Sequence, residues 1–104
     1  MYKIDYLPLA LDDLKEIIRY ITLELEAPRA AEQLIIKIDK EVQKLTDNPF
    51  RCHLYFPSES LSHEYRILNI NNYSIFYTVE KEKVEIHRVI YSKRNILQML
   101  KAQN

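Results

Sequence analysis

Residues 64–94, EYRILNINNYSIFYTVEKEKVEIHRVIYSKR, decide the fold. Three stretches within them, Glu64–Ile70, Tyr73–Glu80 and Val84–Tyr91, are rich in β-branched and aromatic residues, the side chains that suit a pleated, half-buried surface. Asn71-Asn72 separates the first two, and asparagine tolerates the positive φ of a two-residue hairpin turn. Glu80-Lys81-Glu82-Lys83 makes the next turn. The stretch predicts an antiparallel meander of three strands.

On its N-terminal side, residues 49–63, PFRCHLYFPSESLSH, hold two prolines and no clean period, which reads as an extended surface loop. Before that loop the hydrophobic period is helical. Ala31, Leu34, Ile35, Ile38, Val42 and Leu45 form one stripe, and Asp47-Asn48-Pro49 stops it. An earlier stripe, Ala10, Leu11, Leu14, Ile17, Ile18, Ile21 and Leu25, starts after Pro8, with Asp12 and Asp13 expected near the positive end of the helix dipole. Ala27-Pro28 separates the two helices. Residues 2–7, YKIDYL, alternate and supply a short strand, available as a fourth member of the sheet.

On the C-terminal side, Ile96, Leu97, Met99 and Leu100 recur at helical spacing after Ser92, a candidate N-cap. A helix so short needs a docking surface. The order β-α-α-β-β-β-α predicts a two-layer α+β domain spanning 1–104, with an antiparallel sheet of about four strands packed on an N-terminal helical hairpin.

Composition narrows the function classes. The 104 residues include no glycine and one cysteine, Cys52. Glycine-dependent nucleotide loops and the GxSxG nucleophile elbow are therefore excluded, as are an internal disulfide and a CxxC zinc site. No signal-peptide-length or membrane-length apolar run occurs, so a cytoplasmic protein without membrane contact is expected. Fifteen Lys and Arg balance fifteen Asp and Glu. The balance is uneven along the chain, because residues 1–49 carry seven basic against ten acidic side chains and the remainder eight against five. If the helices cover one face of the sheet, the opposite face is expected to be locally positive and able to hold phosphate.

The order of elements, together with ALDDLKEIIRYI, EYRILNI, NYSIFYTV and VEIHRVIYSKRN, resembles the RelE/ParE superfamily of toxins from bacterial type II toxin–antitoxin modules. The resemblance covers nearly the whole chain. It implies a growth-arresting protein held inactive by a cognate antitoxin, with no cofactor and no metal. It also implies one of two targets. RelE-like members cleave mRNA on the ribosome without a metal; ParE-like members poison DNA gyrase.

RNA cleavage through the 2′-hydroxyl needs a base, an acid and cations for the phosphorane charge. By the resemblance, Arg94 matches the arginine after the last strand of RelE-like enzymes, and Arg66 the basic residue of the second. Two family positions depart from that pattern. Ser74 replaces a third cation, and Met99 and Leu100 stand near the place of a C-terminal tyrosine. Tyr91 falls where many relatives carry histidine, and His87 is the remaining titratable group. Strict alternation along the strand would put His87 and Tyr91 on one face. The candidate catalytic set is therefore Arg66, His87, Tyr91 and Arg94.

Each has a structural reading beside it. Arg66 and Arg94 can pair with Glu64 or Glu85 or contact the antitoxin, His87 can be packed and hydrogen-bonded, and Arg88 suits an ion pair. Cys52, His53 and His63 fit no zinc spacing. Three functions follow, in order: a ribosome-dependent mRNA endoribonuclease that blocks translation, a gyrase inhibitor acting by protein contact through the helical hairpin and C-terminal tail, and an inactive toxin that still binds antitoxin.

Overall fold

The computed structural model describes residues 1–55, 61 and 63–103. Its elements run β1 (Lys3–Tyr6), α1 (Pro8–Arg19), α2 (Pro28–Gln43), β2 (Arg66–Ile70), β3 (Tyr73–Glu80), β4 (Lys83–Tyr91) and α3 (Ile96–Gln103). Pro8 and Pro28 open the first two helices at their first turns, where a missing N–H costs nothing. α1 does not stop at Arg19 but widens into a π-helical turn over Tyr20–Glu24. The chain then reverses through Glu26, whose φ is 51°.

The sheet order is β1-β4-β3-β2. β2, β3 and β4 form the expected antiparallel meander, with Asn71 (φ 53°) and Lys81 (φ 55°) as the left-handed turn residues. The fourth strand joins differently. β1 lies parallel to β4, from Lys3 opposite Lys83 to Tyr6 opposite Ile86, so the sheet is mixed. The reason is topological: the hairpin carries the chain from one edge to the other, and the meander returns β4 to β1 running the same way.

Two apolar clusters lie on the two sides of the sheet. Ala10, Ala31, Leu34, Ile38, Val42 and Leu45 pack against Leu68, Ile70, Ile75, Tyr77, Val84 and Ile86. On the other side, α3 sets Leu100 on Tyr65, Phe76 and Ile90, with Ile96 and Met99 against them. The face opposite the helical hairpin is therefore apolar beneath α3, and not the open basic surface that the charge asymmetry implied. The cap of α3 is Asn95, whose Oδ1 accepts from the Gln98 N–H at 3.3 Å; Ser92 instead hydrogen-bonds Ser74.

The loop after α2 does more than cross the surface. Its described part runs beside β2, with Tyr55 N–H donating to Tyr65 O at 2.7 Å and Ile67 N–H to His53 O at 3.0 Å. It thereby covers part of an edge that would otherwise invite strand pairing. Residues 56–60 and 62 of this loop, including Phe56, lie outside the described residues.

The last constraint sits on β4. Phe76 faces Arg88 while Tyr77 faces Ile86, leaving His87 as the extra residue of a β-bulge. β1 ends at this level, with Leu7 N–H donating to Ile86 O at 2.9 Å. The next edge N–H, that of Val89, is satisfied by the Asp13 carboxylate at 2.9 Å. The same carboxylate accepts from Arg88 Nε at 2.7 Å and Nη2 at 2.9 Å, and Arg88 Nη1 reaches Met99 O of α3 at 3.4 Å. Asp13 lies in the second turn of α1, beyond effective reach of the helix dipole; its role is this clamp.

Breaking a largely buried pair strands the surviving charge, at a cost of about 3–5 kcal/mol. Asp13→Ala is expected to lower unfolding stability by about 3 kcal/mol. Asp13→Asn, which still accepts from Val89 N–H, should lose less. Urea denaturation of the three proteins checks both the size and the order of the effects.

Candidate functional site

Arg66 begins β2, on the helix-hairpin side of the sheet with Leu68 and Ile70. Its Nη1 donates to Cys52 O at 2.7 Å and to Phe50 O at 3.4 Å. Its guanidinium carbon lies 5.0 Å from the centre of the Phe50 ring, a cation–π contact. The segment it binds is held from below, because the buried Tyr77 hydroxyl donates to Pro49 O at 2.7 Å. Burial and the neighbouring Cys52 side chain raise the Tyr77 pKa, keeping that hydroxyl protonated. Arg66 is thus occupied as a loop anchor, and it pairs with neither Glu64 nor Glu85.

His87 lies on the opposite side. It is 5% exposed, with Nε2 3.0 Å from Thr78 Oγ1. The Tyr65 and His63 rings stand 5.2 Å and 5.1 Å from its own. Burial, and then His63, lower its pKa to about 4. It is neutral at physiological pH and buried beneath this cover.

Tyr91 ends β4 and is 37% exposed. Its ring meets that of Tyr73 edge-on at 5.8 Å, and Tyr73 packs on the hairpin-side core. His87 and Tyr91 therefore lie on opposite faces. Strict alternation fails because the bulge at His87 inserts one residue between them, and each extra residue reverses the face. Arg94 is exposed in the turn after β4, with its backbone N–H on Tyr91 O at 2.9 Å. Tyr91 and Arg94 are neighbours; neither is brought to Arg66 or His87.

Arg88 forms the ion pair its strand position anticipated, and the partner is Asp13. Pattern reading missed that partner and the bulge. A signal for the bulge lies in the paired strands, since β3 has eight residues and β4 nine. The aromatic positions divide between core and edge. Tyr65, Phe76 and Tyr77 are fully buried, whereas Tyr55 and Tyr73 are half-buried. Among the described residues, no group of three His, Cys, Asp or Glu side chains gathers as a metal site, and no helix is long and apolar enough to cross a membrane.

The helical hairpin presents a different kind of surface. Leu11, Ile18, Leu23, Leu25 and Ile36 are each more than a third exposed, and Leu11, Leu14, Ile35 and Ile36 line a groove between the helices with Tyr6, Asp39 and Lys40. Tyr6 hydroxyl donates to Asp39 at 2.9 Å across its floor.

Comparison with known proteins agrees with this architecture. The family model for the ParE toxin of the type II toxin–antitoxin system parDE matches residues 4–96. Among solved structures, one described as the chromosomal ParDE TA system from P. aeruginosa superimposes with a TM-score of 0.70, covering 89% of this chain and 98% of that chain at 22% identity. At that identity the match establishes a shared fold. No curated protein sequence gives a significant match.

The low pKa of His87 makes a signed prediction. Because the folded state holds it neutral down to about pH 4 while an unfolded histidine protonates near 6.5, its contribution to stability is intact above pH 6.5 and is lost as pH falls toward 4. Melting temperature measured across that window should fall more steeply for the parent chain than for His87→Gln, which has no imidazole to charge.

Proposed function

The chain belongs to the ParE toxin family of type II toxin–antitoxin systems, within the RelE/ParE superfamily, and from that membership we propose that it arrests growth by inhibiting DNA gyrase through protein contact. Its cognate protein antitoxin restrains it. The observation that carries this reading is the separation of the residues a nuclease would need. Arg66 is anchored to carbonyls on one side of the sheet, and His87 is buried on the other beneath Tyr65 and His63. General acid–base catalysis requires such groups within hydrogen-bond reach of one scissile bond.

Two further features support protein contact. The sheet face opposite the hairpin is occupied by α3 and its buried Leu100, leaving no broad floor for a nucleotide there. The hairpin exposes Leu11, Ile18, Leu23, Leu25 and Ile36, and an exposed apolar surface rimmed by charge is characteristic of a protein-binding face. The same face is available to antitoxin, whose binding would then block the target.

Inducing the protein in cells without antitoxin tests the proposal. The expected result is accumulation of gyrase–DNA cleavage complexes while mRNA remains intact, with growth arrest unchanged in His87→Gln. Early loss of translation with mRNA cut in codon phase would instead establish the nuclease, and absence of any growth effect would establish an inactive toxin.

A further inference from the structure

Three tyrosines meet at the end of the sheet where the β2–β3 turn, the end of β4 and the end of α1 converge. Tyr73 and Tyr91 are directly paired across β3 and β4, with ring centres 5.8 Å apart. Burial of Tyr73, and then the Tyr91 and Tyr20 phenols, raise its pKa. Tyr20 opens the π-helical turn and is 54% exposed.

Cations lie on the segments that carry the cluster. Lys37 Nζ donates to Asn71 Oδ1 at 2.8 Å, fixing one ammonium beside the β2–β3 turn. The following turn is tied in as well, with Ser92 N–H on Asn72 O at 2.8 Å and Arg94 N–H on Tyr91 O at 2.9 Å. That turn carries Lys93 and Arg94, both exposed. Among the described residues, the ion pairs present are Lys44–Glu41, Arg51–Glu41 and Arg88–Asp13, so Lys37, Lys93 and Arg94 keep their charge for an external anion.

Exposed aromatic rings beside uncompensated cations form a surface on which bases stack while the backbone phosphates are neutralised. We propose that this end of the sheet, built by Tyr20, Tyr73, Tyr91, Lys37, Lys93 and Arg94, binds single-stranded nucleic acid without cutting it. The binding is sequence-tolerant, since stacking reads only the face of a base. No cleavage accompanies it, because His87 lies on the other side of the sheet, packed under Tyr65. None of these residues lines the hairpin groove, and nucleic-acid binding is measured on the purified chain without gyrase, so its failure is distinguishable from failure of the gyrase reading.

Fluorescence anisotropy of labelled dT and U decamers with the purified chain tests it, the two probes separating DNA from RNA. Binding should weaken with rising salt, and Arg94→Gln should flatten the log–log slope by about 0.7. Tyr91→Ala and Tyr20→Ala should each weaken binding by roughly tenfold, whereas Tyr91→Phe, which keeps the ring, should bind as the parent does. Melting curves confirm that the variants are folded. Either probe binding in this pattern supports the proposal. No anisotropy change at about 100 µM protein in about 50 mM salt, binding that survives both alanine substitutions, or equal displacement by polyglutamate would overturn it.

Discussion

The Asp13 carboxylate is the contact on which the rest of the arrangement depends. It satisfies a strand-edge amide at Val89 and both arms of the Arg88 fork, and through Arg88 it reaches the carbonyl of Met99. One side chain from α1 thus closes the edge that β1 leaves open, steadies the bulge at His87 and ties α3 to the sheet. A bidentate carboxylate–guanidinium pair is directional as well as strong. It fixes which way β4 turns after the bulge, and hence which residues share a face.

That consequence reaches the chemistry. With the bulge in place, His87 turns under Tyr65 while Tyr91 turns toward Tyr73. Arg66 is drawn instead to the loop carbonyls of Phe50 and Cys52. The family framework is retained, with Arg66 and His87 engaged on opposite sides of the sheet and Tyr91 and Arg94 exposed at its end. The exposed leucines and isoleucines of the hairpin form an apolar surface of the kind that the proposed protein contact requires.

Much of the fold was legible from period alone. The meander, the Asn71 turn, both proline-led helices and the docking of the terminal helix follow from local chemistry: β-branched alternation, left-handed tolerance, and apolar stripes that need a partner. The parallel docking of β1 was not legible, because it depends on where a long connection returns the chain. The site was harder still. Arg66, His87, Tyr91 and Arg94 could be named from residue type and resemblance, but their separation rests on a single inserted residue and on Asp13, which is 75 positions from Arg88. Strand alternation contains no information about such a pairing. The absence of glycine had a more visible effect, placing Glu26, Asn71 and Lys81 at positive φ, where glycine is the usual choice.

The central claim is the proposal that this chain acts by protein contact and does not cut mRNA. Primer extension on mRNA from purified ribosomes, paused on a defined message and incubated with the purified chain, measures this directly. The account predicts an uncut message at protein concentrations that suppress gyrase supercoiling. Codon-phased cuts that disappear in both His87→Gln and Arg94→Gln would contradict it.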